Sequence, residues 1–235
     1  MASDKSVIIR PATIRDMSAM ARIAAKTFGD TSLDEFLSPH RHQYPADHGR
    51  IYEHRRMRCF LDPRNRSFVA CSALNPQTVV GYVQLARLGD DEGAQVQIRG
   101  RQSLWLTLQS LYYWAKFQIV DYLWPNKAVD LDHFKQFREW IALDEQLHFS
   151  HEALAARWYV QSLVVLEEWQ MQGIGKRLMK EAFVRAQQDG VPVCLEASAQ
   201  GEMMYRKLGF QLLGRFSGHM ETKGGIMIWR SEKPS

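Results

Sequence analysis

Between Leu163 and Leu178 the chain reads LVVLEEWQMQGIGKRL, and the residue types at those spacings suit the binding of an anion. An apolar run from Tyr159 to Leu166 stops at two glutamates. Gln170-Met171-Gln172-Gly173-Ile174-Gly175 follows, and then an amphipathic segment from Lys176 to Gln188. A strand, a tight glycine turn and a helix N-terminus are implied in that order. Such a turn presents unpaired backbone N–H groups beside the positive end of a helix dipole, which suits a phosphate. Gly173 and Gly175 let the backbone approach the anion where a Cβ would block it. The loop has neither the Lys-Ser/Thr ending of a Walker P-loop nor GxGxxG spacing.

Thirty residues on, Val191 to Phe210 reads VPVCLEASAQGEMMYRKLGF. Val191 to Ala197 has the look of a buried strand and Gly201 to Leu208 that of a short helix. Gly209 sits where a left-handed C-terminal residue is wanted, and Phe210 opens the next strand. The first segment resembles the acyl-CoA signature [Q/R]-x-x-G-x-[G/A] of the GNAT N-acetyltransferase superfamily, with Leu163 and Val165 as its L-x-V strand. The second resembles the same family's N-x-x-A-x-x-[L/F]-Y-x-K-L-G-F, matching at Tyr205, Lys207, Leu208, Gly209 and Phe210. Glu167 stands where many members carry proline, Ser198 takes the usual asparagine position and Gly201 the usual alanine. The LEAS run before this helix is similar to fungal members. The resemblance spans Val7 to Trp229 with one large insertion.

The resemblance implies an acetyl-CoA-dependent enzyme that moves an acetyl group to an amine by direct attack in a ternary complex. Acyl transfer from a thioester needs a neutral amine, a polarised carbonyl and a proton for the departing thiolate. By resemblance, Leu163, Val164 and Val165, near a strand bulge, offer backbone to the thioester and pantetheine. Gln170, Met171, Gln172, Gly173, Ile174, Gly175 and Lys176 hold the pyrophosphate, with Ser198 and Gly201 also on the CoA. Tyr205 is the implied general acid, since a phenol of pKa about 10 is protonated at neutral pH. Strand alternation puts Cys194, Glu196 and Ser198 on one face and Val193, Leu195 and Ala197 on the other. Glu196 is therefore the candidate base, with a structural bond to backbone or an arginine as its alternative.

These groups need a scaffold. Ser6 to Arg10 reads as a first strand, and Thr13 to Asp16 offers capping chemistry for a helix carrying Met17, Met20, Ala21, Ile23, Ala24 and Phe28. Phe36 to Leu61 reads as one basic helical stretch closed by Asp62-Pro63. Phe68 to Ala73 and Val79 to Leu88 read as strands joined at Asn75-Pro76. The fold class expected is α/β, a mixed, mostly antiparallel, splayed sheet with helices on both faces. One domain is expected over 1–235, interrupted by a helical insertion at about 90–156. There Leu104, Leu108, Leu111 and Ala115 recur at helical spacing, as do Phe134, Phe137, Ile141 and Leu147. Its aromatics, among them Trp105, Trp114 and Trp140, suit either a cover over the acceptor or a helical pair packed on the sheet or on a second subunit, such as in a homodimer.

Composition narrows the classes. A hydrophobic share of 46% and a charged share of 24% over 235 residues are those of a globular protein with a full core. No apolar run approaches the roughly eighteen residues of a membrane span, and the N-terminus lacks a signal-peptide core, so no membrane role is expected. Cys59, Cys71 and Cys194 are scattered, which argues for a reducing compartment: cytoplasm, with the nucleus open. The net charge is +4, and its densest part, Arg41 to Arg66, reads as a solvated basic helix face with no nucleic-acid motif. His40, His42, His48 and His54 fit no zinc spacing, and no metal is expected. His133, His148, His151 and His219 have no partner legible in the sequence. A small-molecule amine is the favoured acceptor, with a protein lysine or N-terminus as the alternative. A non-catalytic acyl-CoA-binding scaffold is the reading from another class.

Overall fold

Phe68 and Ala70 face one apolar cluster while Val69 and Cys71, the residues between and beyond them, face another. That two-residue period lets one sheet carry helices on both sides. The computed structural model describes residues 6–218 and 224–231. His219 and the tail from Glu232 to Ser235 lie outside the described residues.

The elements run β1 (Val7–Pro11), α1 (Met17–Phe28), α2 (Ser32–Leu37), α3 (Pro45–Leu61), β2 (Asn65–Ser72) and β3 (Val79–Leu88). Four helices follow: α4 (Glu92–Arg101), α5 (Leu104–Leu123), α6 (Leu131–Phe149) and α7 (Glu152–Ala155). The remainder is β4 (Arg157–Val165), α8 (Ile174–Asp189), β5 (Val193–Ser198), α9 (Ala199–Lys207), β6 (Gln211–Gly214) and β7 (Gly224–Trp229). The sheet order is β1-β2-β3-β4-β5-β7-β6. Every neighbouring pair is antiparallel except β4 and β5, which α8 joins as a crossover. The expected fold class is the one observed.

One face of the sheet packs on α8 and α9, with Ile174, Leu178, Met179, Ala182 and Tyr205 against Val193, Leu195 and Ala197. The other packs on α1 and α3, with Met17, Met20, Ile23 and Tyr52 against Val69, Tyr82 and Val164. Each large side chain so buried contributes about 1.5–3 kcal/mol. The expected capping chemistry is present, on the single helical turn Ile14–Asp16 that leads into α1. Asp16 accepts from the Thr13 N–H at 2.7 Å and the Thr13 hydroxyl at 2.9 Å, and both Arg10 Nη atoms reach its two oxygens at 2.8 Å. At the far end of α8, Asp189 accepts from Arg87 Nε at 2.8 Å and Trp158 Nε1 at 2.9 Å, tying the crossover helix to β3 and β4.

Two expectations change. The helix read from Phe36 to Leu61 is two helices, because Pro39 and Pro45 restrict the residues before them; Pro45 opens α3 at the first helical position. The arginines from Arg41 to Arg66 form a solvated face only in part, with Arg55 and Arg58 exposed. Arg41 and Arg56 are buried, Arg64 donates to Gly89 O at 2.7 Å, and Arg66 donates to Gln97 at 3.0 Å. Two of the histidines there are packing groups too, while His40 and His42 are exposed: His48 meets Asp34 at 2.7 Å, and His54 stacks on Phe117 with ring centroids 3.8 Å apart.

The insertion divides by role. α5 packs on α3 through Phe117, its one buried residue, and leaves most of its aromatics outside. α6 instead reaches from α2 to the first residue of β4. Phe36 of α2 stacks on His133 and Trp140, Glu145 pairs with Arg157 at 2.6 Å, and Asp144 accepts the Ser217 N–H at 2.9 Å.

Candidate functional site

Eight residues of β4 pair with β3, yet only Trp158, Tyr159 and Val160 pair with β5. The register against β3 slips between Val160 and Ser162, so Gln161 is the extra residue of a bulge. The two strands part at that same point. Beyond it, the Leu166 N–H bonds to Val80 O at 2.9 Å. By alternation the polar groups of Val165 and Leu163 then point away from β3, into the gap that β5 has left. Val164 turns its backbone to β3 and its side chain to the α1 face, so of the three residues expected to meet a thioester and pantetheine, two face the opening. The bulge lies just ahead of Leu163, rather than at it. Gln170 Nε2 holds the Val165 carbonyl at 2.9 Å, which anchors the loop to the end of the strand.

The loop itself needs left-handed backbone. Met171 takes φ 59° with its side chain in solvent, and Gly173 takes φ 75°. A Cβ at Gly173 would meet no atom within 4 Å, so the glycine there answers a backbone requirement and leaves open space above it. Gly175 has a different cause: a Cβ would stand 3.2 Å from the Met204 sulfur of α9. The first helical bond of α8 runs from the Arg177 N–H to Gly173 O at 3.0 Å, so the N–H groups of Ile174, Gly175 and Lys176 emerge at the helix end. No acidic residue occupies that first turn. Ile174 is buried beneath it, and Gln172 Nε2 turns back to Glu168 O at 3.4 Å. An anion is what such an end receives.

Ser198 closes the N-terminus of α9, its hydroxyl accepting the Gly201 N–H at 3.2 Å. A Cβ at Gly201 would lie 3.2 Å from the Tyr205 ring and 3.3 Å from Ser198 Oγ, so the glycine lets Tyr205 lie against the start of its own helix. Tyr205 is buried with its edge toward Phe210 at 5.5 Å, and burial raises its phenol well above the usual value. It stays protonated across the neutral range.

Glu196 projects from the opposite face of β5, as the alternation predicts. Its partner is neither backbone nor arginine: the Tyr159 hydroxyl donates to Oε1 at 2.7 Å. The carboxylate keeps solvent access, but its pKa is raised, first by lost hydration and then by Asp144 and Glu145 of α6, against the lowering pull of the Tyr159 bond and of Arg55. Burial and the nearby Glu196 charge hold the Tyr159 phenol well above its usual range. Further along this face, Ser162 Oγ lies 3.0 Å from the Tyr82 hydroxyl, which accepts from Arg56 Nη1 at 2.9 Å. Tyr159, Ser162, Tyr82 and Arg56 escape sequence reading; the one signal for them is polar side chains inside strands and a helix that otherwise read as apolar or solvated. Among the described residues no three His, Cys, Asp or Glu side chains are grouped as a metal site would require, and no helix is long and apolar enough to cross a membrane.

Residues 137–212 match the family described as "Acetyltransferase (GNAT) domain". Among solved structures the chain is similar to a histone acetyltransferase HPA2 and related acetyltransferase from Corynebacterium glutamicum, at TM-score 0.61 and 17% identity, covering 98% of this chain and 99% of that one. A GNAT-family acetyltransferase from Desulfovibrio desulfuricans matches at TM-score 0.52 and 12% identity over 97% and 99% of the two chains. NAA60 of Arabidopsis thaliana, solved with a bisubstrate analogue, matches at TM-score 0.51 and 12% identity over 96% and 98%. At these identities the likeness is one of fold.

Proposed function

We propose, from the premise that this chain belongs to the GNAT acetyltransferase superfamily, that it transfers the acetyl group of acetyl-CoA to the primary amine of a small molecule. One observation carries the reading: at Gln161 the strands β4 and β5 part, and the edge so freed ends in the open N-terminus of α8. A pantetheine arm would lie along Leu163 and Val165, with the pyrophosphate on the N–H groups from Gln170 to Lys176 and with Ser198 and Gly201 beside it. Val164 would support that edge from within β4. The whole chain would serve as one domain, with α4 to α7 as its insertion.

In this reading Glu196 accepts a proton from the ammonium of the acceptor, directly or through water. The neutral nitrogen attacks the thioester carbonyl, the carbon–sulfur bond breaks, the Tyr205 hydroxyl supplies the proton that the thiolate takes up, and the second proton shed by the acylated nitrogen restores that hydroxyl through water. A raised carboxyl pKa makes Glu196 a stronger base than a free glutamate, and a protonated Tyr205 remains able to donate. The small acceptor is favoured because α6 spans the Glu196 face, from Phe36 at one end to Ser217 and Arg157 at the other, where a peptide would need an open groove. Free-thiol release from acetyl-CoA, measured with polyamines, arylalkylamines, amino acids and lysine peptides, tests the proposal. Turnover confined to peptides would overturn the small-molecule reading, and acetyl-CoA binding without turnover on any acceptor would overturn catalysis.

A further inference from the structure

Four arginines are buried among the described residues: Arg41, Arg56, Arg87 and Arg157. Three have a carboxylate. Arg41 pairs with Glu35 at 2.7 Å, Arg87 with Asp189 at 2.8 Å and Arg157 with Glu145 at 2.6 Å. Arg56, on α3 and only 2% exposed, has none. Its guanidinium donates to the Tyr82 hydroxyl, its carbon lies 5.5 Å from the Tyr82 ring centroid, and its Nε is buried without a partner. A buried charge left without a counter-charge is unfavourable by several kcal/mol, so a protein that keeps one has a reason at that place. The place is Tyr82 and Ser162, the latter being the first residue past the bulge where β4 leaves β5. Arg55, the residue before it on α3, is exposed and without an ion pair among the described residues, and its field reaches both Tyr82 and Glu196. The α3 wall of this face is thus cationic, while Glu196 and Asp144 stand on the opposite wall beside the Glu145–Arg157 pair.

We propose that Arg56, with Arg55 at its mouth, receives a carboxylate of the acceptor while Glu196 faces the acceptor's amine, so that the preferred acceptors are small amino-carboxylates. This rests on the acyl-transfer reading above and narrows its acceptor. A guanidinium binds a carboxylate through two parallel N–H donors, which would fix both the distance and the angle at which the amine meets Glu196.

The test compares matched acceptors on the full-length enzyme: amino acids against the corresponding amino amides and decarboxylated amines. Two readouts run in parallel, kcat/KM by thiol release and binding by calorimetry with CoA present. Wild type should favour the carboxylate member by tenfold or more, and Arg56→Met should bring that ratio near one while Arg56→Lys keeps part of it. Replacing an unpaired buried charge by an apolar side chain of similar length should preserve the fold, which a thermal melt checks. Should Arg56→Met not fold, Tyr82→Phe and Arg55→Met stand in, each expected to reduce the ratio. Equal kcat/KM for both members in wild type overturns the inference, as does a variant that loses both equally. If no member turns over, the acyl-transfer reading fails by itself; calorimetry then judges Arg56, and carboxylate binding unchanged in Arg56→Met overturns its role.

The outer face of α5 is a separate matter. Leu104, Leu108, Leu111, Ala115 and Tyr122 recur at spacings of four, three, four and seven, a heptad seam, with Trp105 beside it. The large members are 50–84% exposed, and the helix carries only Lys116 and Asp121 as charges. Together these side chains offer on the order of 800 Å², about one partner's share of a standard-size interface. Ala115, the one small residue of the seam, lies near its middle, where two helices must come closest. We infer that a second copy of this chain covers this seam. Light scattering on a sizing column should give a dimer for wild type, and Leu108→Glu with Leu111→Glu should give a folded monomer with the same thermal melt. A wild type monomeric at 100-micromolar order overturns the dimer, as does co-sedimentation of monomer with neutral phosphatidylcholine vesicles that the same variant abolishes.

Discussion

The Tyr159 hydroxyl donates to Glu196 Oε1 at 2.7 Å, beside the last paired rung of β4 and β5, Val160 with Leu195. That bond stabilises the carboxylate form, whereas lost hydration and the charges of Asp144 and Glu145 favour the acid; the net shift is upward. If Glu196 takes the amine proton, the acid limb of kcat/KM lies above the ordinary glutamate value. Tyr159→Phe removes a stabiliser of the charged form, so the limb should move to still higher pH with the plateau little changed. Glu196→Gln should lower the plateau itself by about 10²–10⁴. A pH–rate profile of both variants decides; a Tyr159→Phe limb that moves to lower pH contradicts the assignment.

Tyr205→Phe should leave acetyl-CoA affinity nearly unchanged and reduce kcat by about a hundredfold where chemistry limits turnover. The ring packs against Phe210 and Gly201, so its body is retained and one hydroxyl is lost. Unaltered kcat in a single-turnover assay removes Tyr205 from the chemistry.

Gly173→Asp joins two faults in one residue, a left-handed φ of 75° and a negative charge where an anion is expected. Acetyl-CoA affinity measured by calorimetry should fall at least tenfold. Gly173→Asn tolerates the same backbone without the charge and should fall less. Equal losses in the two variants would point to backbone strain alone.

The glycine loop and its flanking elements were legible because local spacing decides them: an apolar run, two glycines two apart, then a 3.6-residue period. The Tyr205 helix was legible for the same reason, down to Gly209, whose φ is 89°. What escaped depends on register. That Gln161 is unpaired, and hence that Tyr159 rather than Gln161 meets Glu196, follows from a slip against β3 that no property of residues 157–165 announces. The split of α2 from α3 was in reach through Pro39 and Pro45. The burial of Arg41 and Arg56 was not, because an arginine on a helix looks alike whether it faces water or a sheet. β7 and α4 went unread, one too short and glycine-led, the other too polar, to carry a clear period.

Asp16 is buried beneath Arg10 and the cap of α1. Lost hydration alone would raise its pKa, yet the bonds from Arg10 and from the Thr13 backbone and hydroxyl outweigh it, and the folded value lies below the ordinary 3.8. Its contribution is therefore fully present above the unfolded value and lost as pH falls through the folded one. Asp16→Asn should destabilise by about 1–3 kcal/mol at neutral pH, since Arg10 then lacks its partner. Urea melts should show the gap between variant and wild type closing below pH 4. A constant gap down to pH 2 would assign the loss to packing instead.

The insertion should divide functionally as it does structurally. Trp140 of α6 stacks toward Phe36 on the side of the sheet that carries Glu196, whereas Trp105 of α5 is 69% exposed, on the outer face of a helix held by α3. Trp140→Ala removes part of the cover and should change the ranking of acceptors by kcat/KM, with acetyl-CoA affinity unchanged because the helix end that would hold the phosphates touches neither residue. Trp105→Ala should leave the ranking as it is. Both variants need a thermal melt first, because a half-buried indole such as Trp140 can cost up to about 3 kcal/mol when truncated. Equal shifts in acceptor ranking from both would mean that α5 reaches the acceptor. No shift from either would make α6 a support for the sheet, and the small-molecule reading would lose the wall on which it rests.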